Sequence, residues 1–525
     1  MKTFLHNNRT GFFHIHETQL TLLLLTLAAI FGSYVRILAP AQTDFPILDG
    51  GLFYSMTRDL ISNGFRLPLV TSYNHLNIPF AYPPLALYLA GFINFFTGAE
   101  LLGIFHWLPV AFSLLTIPAF YLLGRELLEA PAQAALATLI FALLPRSYDW
   151  LVMGGGITRA PATLFLILFL WACYRAFAHK SWKMSVLTAV FGGLVLLSHP
   201  ERALHAATAG LLFWLWLDRS RSGTGRALVI GGGTLLISAP WWAAVLFRYG
   251  AQTLLLAAQA GSPRWLFWVP LLQLDFTDET IPIAAFLSIF GAFICWKQRK
   301  GLLVAWFVLA FLTDPRSAPH IIAVQVSLLA SIGLTDIIFP ALEHFSNKWQ
   351  TVLEKTSGRL VLGYVLIVML FNAQSNLIQI SKYLLAESNQ QALDWVAAET
   401  PPDSHFLVLD WQKTPMLSPL LEWFPALSER MNIVTIQGRE WLPGVAHFAA
   451  RIKTYPNLYA CLDQDTTCLN DWATQNNERF DYVYISIQTL DGGRRLSRLS
   501  DSLRNSNRYR LVYETSDVLI FKNLP

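Results

Sequence analysis

Charge is scarce in this sequence. Asp, Glu, Lys and Arg make up 14% of its 525 residues, against 54% apolar. A soluble chain of that length rarely carries so few charges, which excludes an ordinary water-soluble enzyme. Cysteine is scarce too, and four are too few for a disulfide framework. Cys173 and Cys295 fall within or at the ends of apolar runs. Cys461 and Cys468 lie close together in a polar tail and can pair there if the tail is outside the cytosol. No basic stripe accompanies the small net charge of +4, so nucleic acid is not an expected partner. No small-residue cleavage site follows the first apolar run, which therefore reads as a retained span. Internal repeats, low-complexity linkers, a Gly-rich phosphate loop in the tail and strict zinc spacing are all missing.

What is present is a series of apolar runs: 18–38, 82–97, 101–124, 132–146, 158–178, 184–199, 202–217, 226–247, 281–296, 301–313, 319–340 and 359–380. Runs of this length predict a polytopic α-helical membrane protein. The loops sort by charge. Lys2, Arg9, Arg125, Arg175, Lys180, Lys183, Arg219, Arg221, Arg226, Lys297, Arg299, Lys300, Lys348 and Lys355 all fall on one side if 82–97 does not cross. The positive-inside rule makes that side cytosolic. The run 82–97 opens Tyr82-Pro83-Pro84 and is short, which suits a re-entrant or interfacial helix. About eleven spans follow, with the N-terminus in the cytosol and the tail outside. A run at 264–274, interrupted by Pro270, is expected at the outer interface.

The opposite loops collect Asp44, Asp49, Arg58 and Asp59, then Arg146, Asp149 and Arg159, then His199, Glu201, Arg202 and His205. Beyond these come Arg248, Arg264, Asp275, Asp278, Glu279, Asp314, Arg316 and His320. Charges beside spans are costly and mark a polar cavity or a function. The first loop is too polar and proline-marked to cross. Within it, 51–64 predicts an amphipathic helix lying on the membrane surface, with Leu52, Phe53, Met56, Leu60 and Ile61 on one face and Asn63-Gly64 as its stop. Asp49 has two readings on local spacing. It is a carboxylate at the membrane exit, suited to chemistry on a lipid-linked substrate, or it caps helix 51–64. The segment 198–207, SHPERALHAA, likewise reads as a helix start, with Pro200 in the first turn, or as a site. In the second case Arg202 holds phosphate and His199 or Glu201 holds a metal or a sugar hydroxyl. Gly154-Gly155-Gly156 allow close backbone approach beside Asp149 and Arg159, or only mark a loop. Arg316 suits phosphate, or snorkels at the interface.

After Tyr383 the chain turns polar. The stretch 388–399 predicts a helix, and 405–411, 432–436, 482–487 and 509–522 predict strands. The chain thus divides into a transmembrane unit, 1–383, containing the first outer loop 39–84, and a soluble extracytoplasmic α/β unit, 384–525.

The motif LDGGLFY at 48–54 resembles the acidic first-loop motif of GT-C class membrane glycosyltransferases, the group of protein O-mannosyltransferases and the aminoarabinose transferase of lipid A. Asp49 matches the acidic position, and Gly50 stands where a second acid is frequent. AYPPLALYLAGFINFFTG at 81–98 is similar to the proline-pair segment of that class. RSYD, ending at Asp149, is similar to its second-loop acid, and DPRSAPHIIAVQVSLLASIGL at 314–334 to its arginine-then-apolar span. The tail stretch LLEWFPALSERMNIVTIQGREWLPG is similar to uncharacterised relatives. The resemblance covers roughly 15–340. It implies an inverting transferase of the cell envelope, taking a sugar from a polyprenyl-phosphate donor at the outer face of the cytoplasmic membrane. The acceptor, a glycan, lipid or protein, stays open. Asp49 and Asp149 are then the expected catalytic acids. Arg159, Arg202 and Arg316 are the phosphate ligands, and Asp44, His199, Glu201 and His320 are further substrate or metal contacts. A divalent cation, magnesium or manganese, is compatible with the resemblance but not required by it. Two competing readings are a transporter or flippase of lipid-linked sugars, which more often shows two similar halves, and a non-catalytic membrane scaffold.

Overall fold

The computed structural model describes residues 17–259, 271–342, 356–442, 447–490, 493–495 and 498–524. Expectations for Lys2, Arg9, Arg264, Lys348, Lys355 and most of the run 264–274 lie outside the described residues.

The membrane unit is a helical bundle. Its first helices are α1 (Glu17–Ile37), α2 (Gly51–Ser62), α3 (Leu85–Thr97), α4 (Leu101–Leu127), α5 (Pro131–Leu143), α6 (Gly156–Ala178), α7 (Trp182–Leu196), α8 (Pro200–Leu217) and α9 (Arg221–Gln259). The helices Ile283–Lys297, Leu302–Thr313, Ala323–Gly333 and Thr356–Ile380 follow. Among the described residues, six stretches are long and apolar enough to cross a bilayer: Glu17–Ile37, Leu101–Leu127, Gly156–Ala178, Arg221–Ala257, Ala323–Leu342 and Thr356–Glu399. Five more apolar helices are shorter. Among these, the 13 residues of α5 extend only about 20 Å. This helix is enclosed by its neighbours: every residue of α5 from Ala132 to Leu143 is buried.

The bundle sorts its charges to two ends. At one end, Glu126 in the last turn of α4 meets Arg175 at 3.4 Å and His179 at 3.0 Å, and Lys300 meets Glu129 at 2.5 Å. The basic loops therefore share an end. Both termini of α3 lie at the other end. Leu85 N donates to Leu197 O, just before His199, and His106, early in the following helix α4, bonds to Pro40 O just beyond α1. α3 thus returns to the end from which it starts, and Phe92 of α3 stacks on Phe65 after α2.

The tail forms a five-stranded sheet of order β4-β3-β5-β9-β8. Its strands are β3 (His405–Leu409), β4 (Met431–Asn432), β5 (Tyr482–Ser486), β8 (Tyr509–Glu514) and β9 (Val518–Asn523); the two-residue β1 (Val70–Thr71) and β2 (Ile78–Pro79) pair within the first loop, and β6 (Gln488–Leu490) with β7 (Gly493–Arg495) beside the sheet. β3 runs parallel to β4 and β5, and β8–β9 is an antiparallel hairpin. The expected strand 432–436 shortens to two residues. Asn432 Oδ1 accepts from Val434 N, and Thr435 Oγ1 donates to Leu421 O, so local side-chain bonds replace the ladder. Cys461 and Cys468 form a disulfide.

Helix α2 occupies a different environment from the one its pattern suggests. Its apolar residues Leu52, Met56 and Leu60 share one core with Phe406, Trp423 and Phe424 of the tail. The tail, rather than lipid, covers that face, because it offers a larger and better-packed apolar surface. The junction is also polar at its rim. Asn74 Nδ2 donates to Asn432 O at 3.0 Å, Asn432 N donates to Asn74 Oδ1 at 2.7 Å, and Arg58 pairs with Glu429.

Candidate active site

Asp49 stands on a constrained stretch of backbone. Leu48 has φ 59° and Gly50 φ 120°, so the residues on both sides are left-handed. Leu48 carries a strain of about 1–3 kcal/mol there, which persists only when the surroundings over-determine it. They do: Leu48 N donates to Tyr383 O at 3.0 Å, and Gly154 N donates to Ile47 O at 2.9 Å. The glycine run at 154–156 is more than a loop marker. Gly155 N donates to Asp49 Oδ1 at 2.8 Å. A Cβ on Gly155 would stand 2.5 Å from Asp49 Oδ2 and 2.8 Å from Arg159 Nη2. Arg159, one turn into α6, donates through Nη2 to both Asp49 oxygens at 3.0 and 2.8 Å. Its Nε donates to Trp150 O at 3.1 Å, and its guanidinium lies 5.1 Å from the Trp150 ring centre. Arg159 is therefore first the partner of Asp49.

Asp49 does not cap α2. The N-cap is Gly50, without a side-chain bond. The amides of Gly50 and Leu52 donate instead to Glu422 Oε1 of the tail, at 3.3 Å each.

Beside this pair lies a second group of cations. Pro200 opens α8, as the sequence pattern expects, and His199 is its N-cap residue without making a side-chain cap bond. Glu201 pairs with Arg316 and lies 3.8 Å from Arg202. Arg202 is 2% exposed. His199 is held well below its ordinary pKa, first by burial and then by Arg202, Arg159 and Arg316, which puts all three guanidiniums within electrostatic reach of one imidazole. Tyr82 joins the groups: its ring meets Phe53, His199 and Trp441, and its hydroxyl lies 3.3 Å from Thr158 Oγ1. Arg202 Nε and His199 Nδ1 are buried and have no hydrogen-bond partner among the described residues. Buried donors are nearly always satisfied in native structures, so these two are suited to an oxygen-rich ligand. Arg146, Trp150, Arg202 and His320 also line one small cavity beneath this end.

Asp149 faces a different way from Asp49. It is 4% exposed, and its Oδ1 accepts from Trp150 N at 2.7 Å. Its side chain bonds to Asp278, which meets Arg146 at 2.8 Å. Burial and then Asp278 push the Asp149 carboxyl well above the usual range, and burial also raises Asp278. The expected pairing of Asp149 with Asp49 is thus replaced by a pairing with Asp278, because the 3₁₀ turn Asp149–Leu151 directs it inward. Asp44 is exposed and lies within electrostatic reach of His106. Among the described residues no three His, Cys, Asp or Glu side chains gather as metal ligands. Asp49, Asp149, His199 and Glu201 are thus not gathered into one such set.

Three contributors escaped the sequence reading. Glu422 and Glu440 come from the tail, inside LLEWFPALSERMNIVTIQGREWLPG, and their signal was an acid set among aromatic and aliphatic residues. Burial pushes Glu422 up to about 8 and Glu440 up to about 7. Arg36 is fully buried at the end of α1. It donates to Ser113 O, Gly32 O and Ala142 O and to the Ser113 and Ser147 hydroxyls, tying α1, α4 and α5 to the turn before Asp149.

A family model described as dolichyl-phosphate-mannose-protein mannosyltransferase matches residues 81–243. That stretch holds Arg159, His199, Glu201 and Arg202 but not Asp49. No curated protein matches the chain. Several solved structures do. ArnT from Cupriavidus metallidurans, bound to undecaprenyl phosphate, matches with TM-score 0.55 and 14% identity over 97% of this chain and 98% of that one. The archaeal oligosaccharyltransferase AglB from Archaeoglobus fulgidus, in complex with an inhibitory peptide and a dolichol-phosphate, matches with TM-score 0.53 and 14% identity over 90% and 70%. The arabinofuranosyltransferase AftD from Mycobacteria matches with TM-score 0.54 and 14% identity over 95% of this chain and 40% of that one.

Proposed function

We propose that this chain is a membrane glycosyltransferase that moves a sugar from a polyprenyl-phosphate donor to an acceptor on the extracytoplasmic face of the cytoplasmic membrane, with inversion. Its fold is that of GT-C class membrane glycosyltransferases, and glycosyl transfer is the activity shared by the matching family model and the similar structures. The observation that carries this reading is convergence. Asp49, Arg159, His199, Glu201, Arg202 and Arg316, scattered between positions 49 and 316, meet at one end of the bundle beneath the tail. A scaffold has no need of such a meeting, and a flippase gives no reason for a carboxylate fixed on strained backbone.

In this mechanism the acceptor hydroxyl approaches Asp49, which takes its proton as the new bond to the sugar C1 forms. The bond from C1 to the phosphate oxygen breaks on the opposite face, and the electron pair leaves with the polyprenyl phosphate. Arg202 and Arg316 hold that phosphate, with Arg202 Nε and His199 Nδ1 as the unengaged donors. Guanidinium forks suit the charge that builds on a leaving phosphate. Arg159 holds Asp49 in place and adds positive potential. The donor carries its activation in the phosphate ester, so a nucleotide loop is unnecessary. Undecaprenyl phosphate and dolichol-phosphate, bound by two of the similar structures, support the donor class. The disulfide Cys461–Cys468 supports an oxidising compartment for the tail, and the basic loops at the other end support a cytosolic N-terminus. With α3 returning to its own end, the count of about eleven spans belongs to the same proposal.

The test is transfer of radiolabelled sugar from polyprenyl phosphate by membranes carrying wild type or Asp49→Asn. Label on an acceptor with wild type and none with the folded mutant is expected. Equal transfer by both would refute the role of Asp49. Movement of the donor across sealed vesicles without any transfer would favour the flippase.

A further inference from the structure

Glu422 belongs to the tail, and the chemistry above makes no use of it. Yet its carboxyl sits directly against the residues that follow Asp49. Oε1 accepts from Gly50 N and Leu52 N at 3.3 Å each. These amides open α2 and have no partner inside the helix. The approach is close enough that a Cβ on Gly51 would stand 2.5 Å from Glu422 O. Glu422 is held in turn: Tyr73 donates to its backbone oxygen at 2.7 Å, and its helix, Pro419–Ser428, is capped by the Ser418 hydroxyl. Its other oxygen, Oε2, is buried without a hydrogen-bond partner among the described residues, and Asp49 is the nearest-acting charge.

We propose that Glu422 is a positioning residue for Asp49, so that the tail completes the active site rather than only covering it. This rests on the transfer reading above. Asp49 hangs between two left-handed residues, and such a backbone persists only while its neighbours hold it. Gly155 N and Arg159 hold the side chain, and Glu422 holds the chain just beyond. Without Glu422 the amides of Gly50 and Leu52 lose their acceptor, the first turn of α2 relaxes, and Asp49 swings off Arg159. The requirement is reach more than charge, since a neutral carboxamide oxygen accepts the same two bonds. Asp49, Glu440, Tyr73 and Arg439 are the other ionisable groups around this junction.

Amide hydrogen exchange of segment 46–56 in the full-length protein, with steady-state transfer from a polyprenyl-phosphate sugar, tests the proposal on Glu422→Ala, Glu422→Asp and Glu422→Gln. Glu422→Asp keeps the carboxyl but falls one methylene short. Both Glu422→Ala and Glu422→Asp are expected to speed exchange in 46–56 while 482–486 of the sheet stays protected. Displacement of a catalytic group by about 1 Å costs about 10²-fold in rate, so kcat should fall by about that factor with KM for the donor little changed. Glu422→Gln should restore both. Unaltered exchange in 46–56, or a Glu422→Gln as impaired as Glu422→Ala, overturns the proposal. General loss of protection across the tail in Glu422→Asp also overturns it, since the role is then purely structural. If wild type transfers nothing from any donor, the transfer reading fails, and exchange alone still decides whether Glu422 holds the Asp49 loop.

Discussion

Two aspartates at the same end of the bundle, Asp49 and Asp149, show how surroundings divide one residue type into two roles. Asp49 is partly exposed and receives Arg159 and Gly155 N. Both partners donate hydrogen bonds to its side-chain oxygens. Asp149 is nearly sealed and lies against a second carboxyl, Asp278. Burial and a like charge both favour the proton there. One aspartate is half-buried and held by an arginine, as the proposed chemistry needs, and the other is a buried strut between the turn before α6 and the segment before Ile283–Lys297. Similarity of motif had placed them together, and geometry separates them.

The sharpest way to break this comparison is to neutralise each acid in turn. Asp49→Asn is expected to cut transfer by about 10³-fold, the range for loss of a general base. Asp149→Asn, which keeps a donor to Asp278, should cost less than about tenfold in transfer, a change fitting a residue outside the reacting centre. Equal losses in the radiolabel assay would merge the two roles. Next comes the partner. Arg159→Lys should lower kcat by about 10²-fold, because an ammonium cannot span both Asp49 oxygens and Trp150 O at once. Purified protein with unchanged thermal unfolding would locate that loss in the site. Gly155→Ala should follow with about tenfold, since its methyl displaces Asp49 from Arg159 by a fraction of an ångström; an alanine variant with wild-type kcat would mean the contact is slack.

The smallest effect concerns pH and the tail. Glu422 and Glu440 are pushed up to about 8 and about 7 from an ordinary 4.5. A carboxyl raised on folding binds its proton more tightly in the folded state. Its contribution is therefore fully present below the ordinary value and is lost as pH rises through the raised one. Thermal unfolding of the full-length protein should fall by a few degrees from about pH 5 to about pH 9. Glu422→Gln should flatten part of that slope. A slope unchanged by the substitution would assign the effect to other groups.

Much of this was legible beforehand, for identifiable reasons. Apolar runs and basic loops mark helices and their ends, because lipid tolerates few charges. The departures are equally specific. The apolar face of α2 reads the same whether lipid or protein covers it, and the tail covers it. The strand expected at 432–436 gave way to side-chain bonds of Asn432 and Thr435 that no periodicity reveals. Glu422 lies some 370 residues from its partners, in a stretch that carries no catalytic pattern.

By itself, then, the sequence determined the membrane class, the helix order and the sorting of the charges to the ends of the helices. These follow from local composition and from the cost of moving charge into hydrocarbon. Only the tertiary structure decided which acid meets an arginine, which acid meets another acid, and that a tail carboxyl holds the start of α2. Those depend on distances between residues hundreds of positions apart, and on two left-handed residues at Leu48 and Gly50 that only the packed molecule can hold in place.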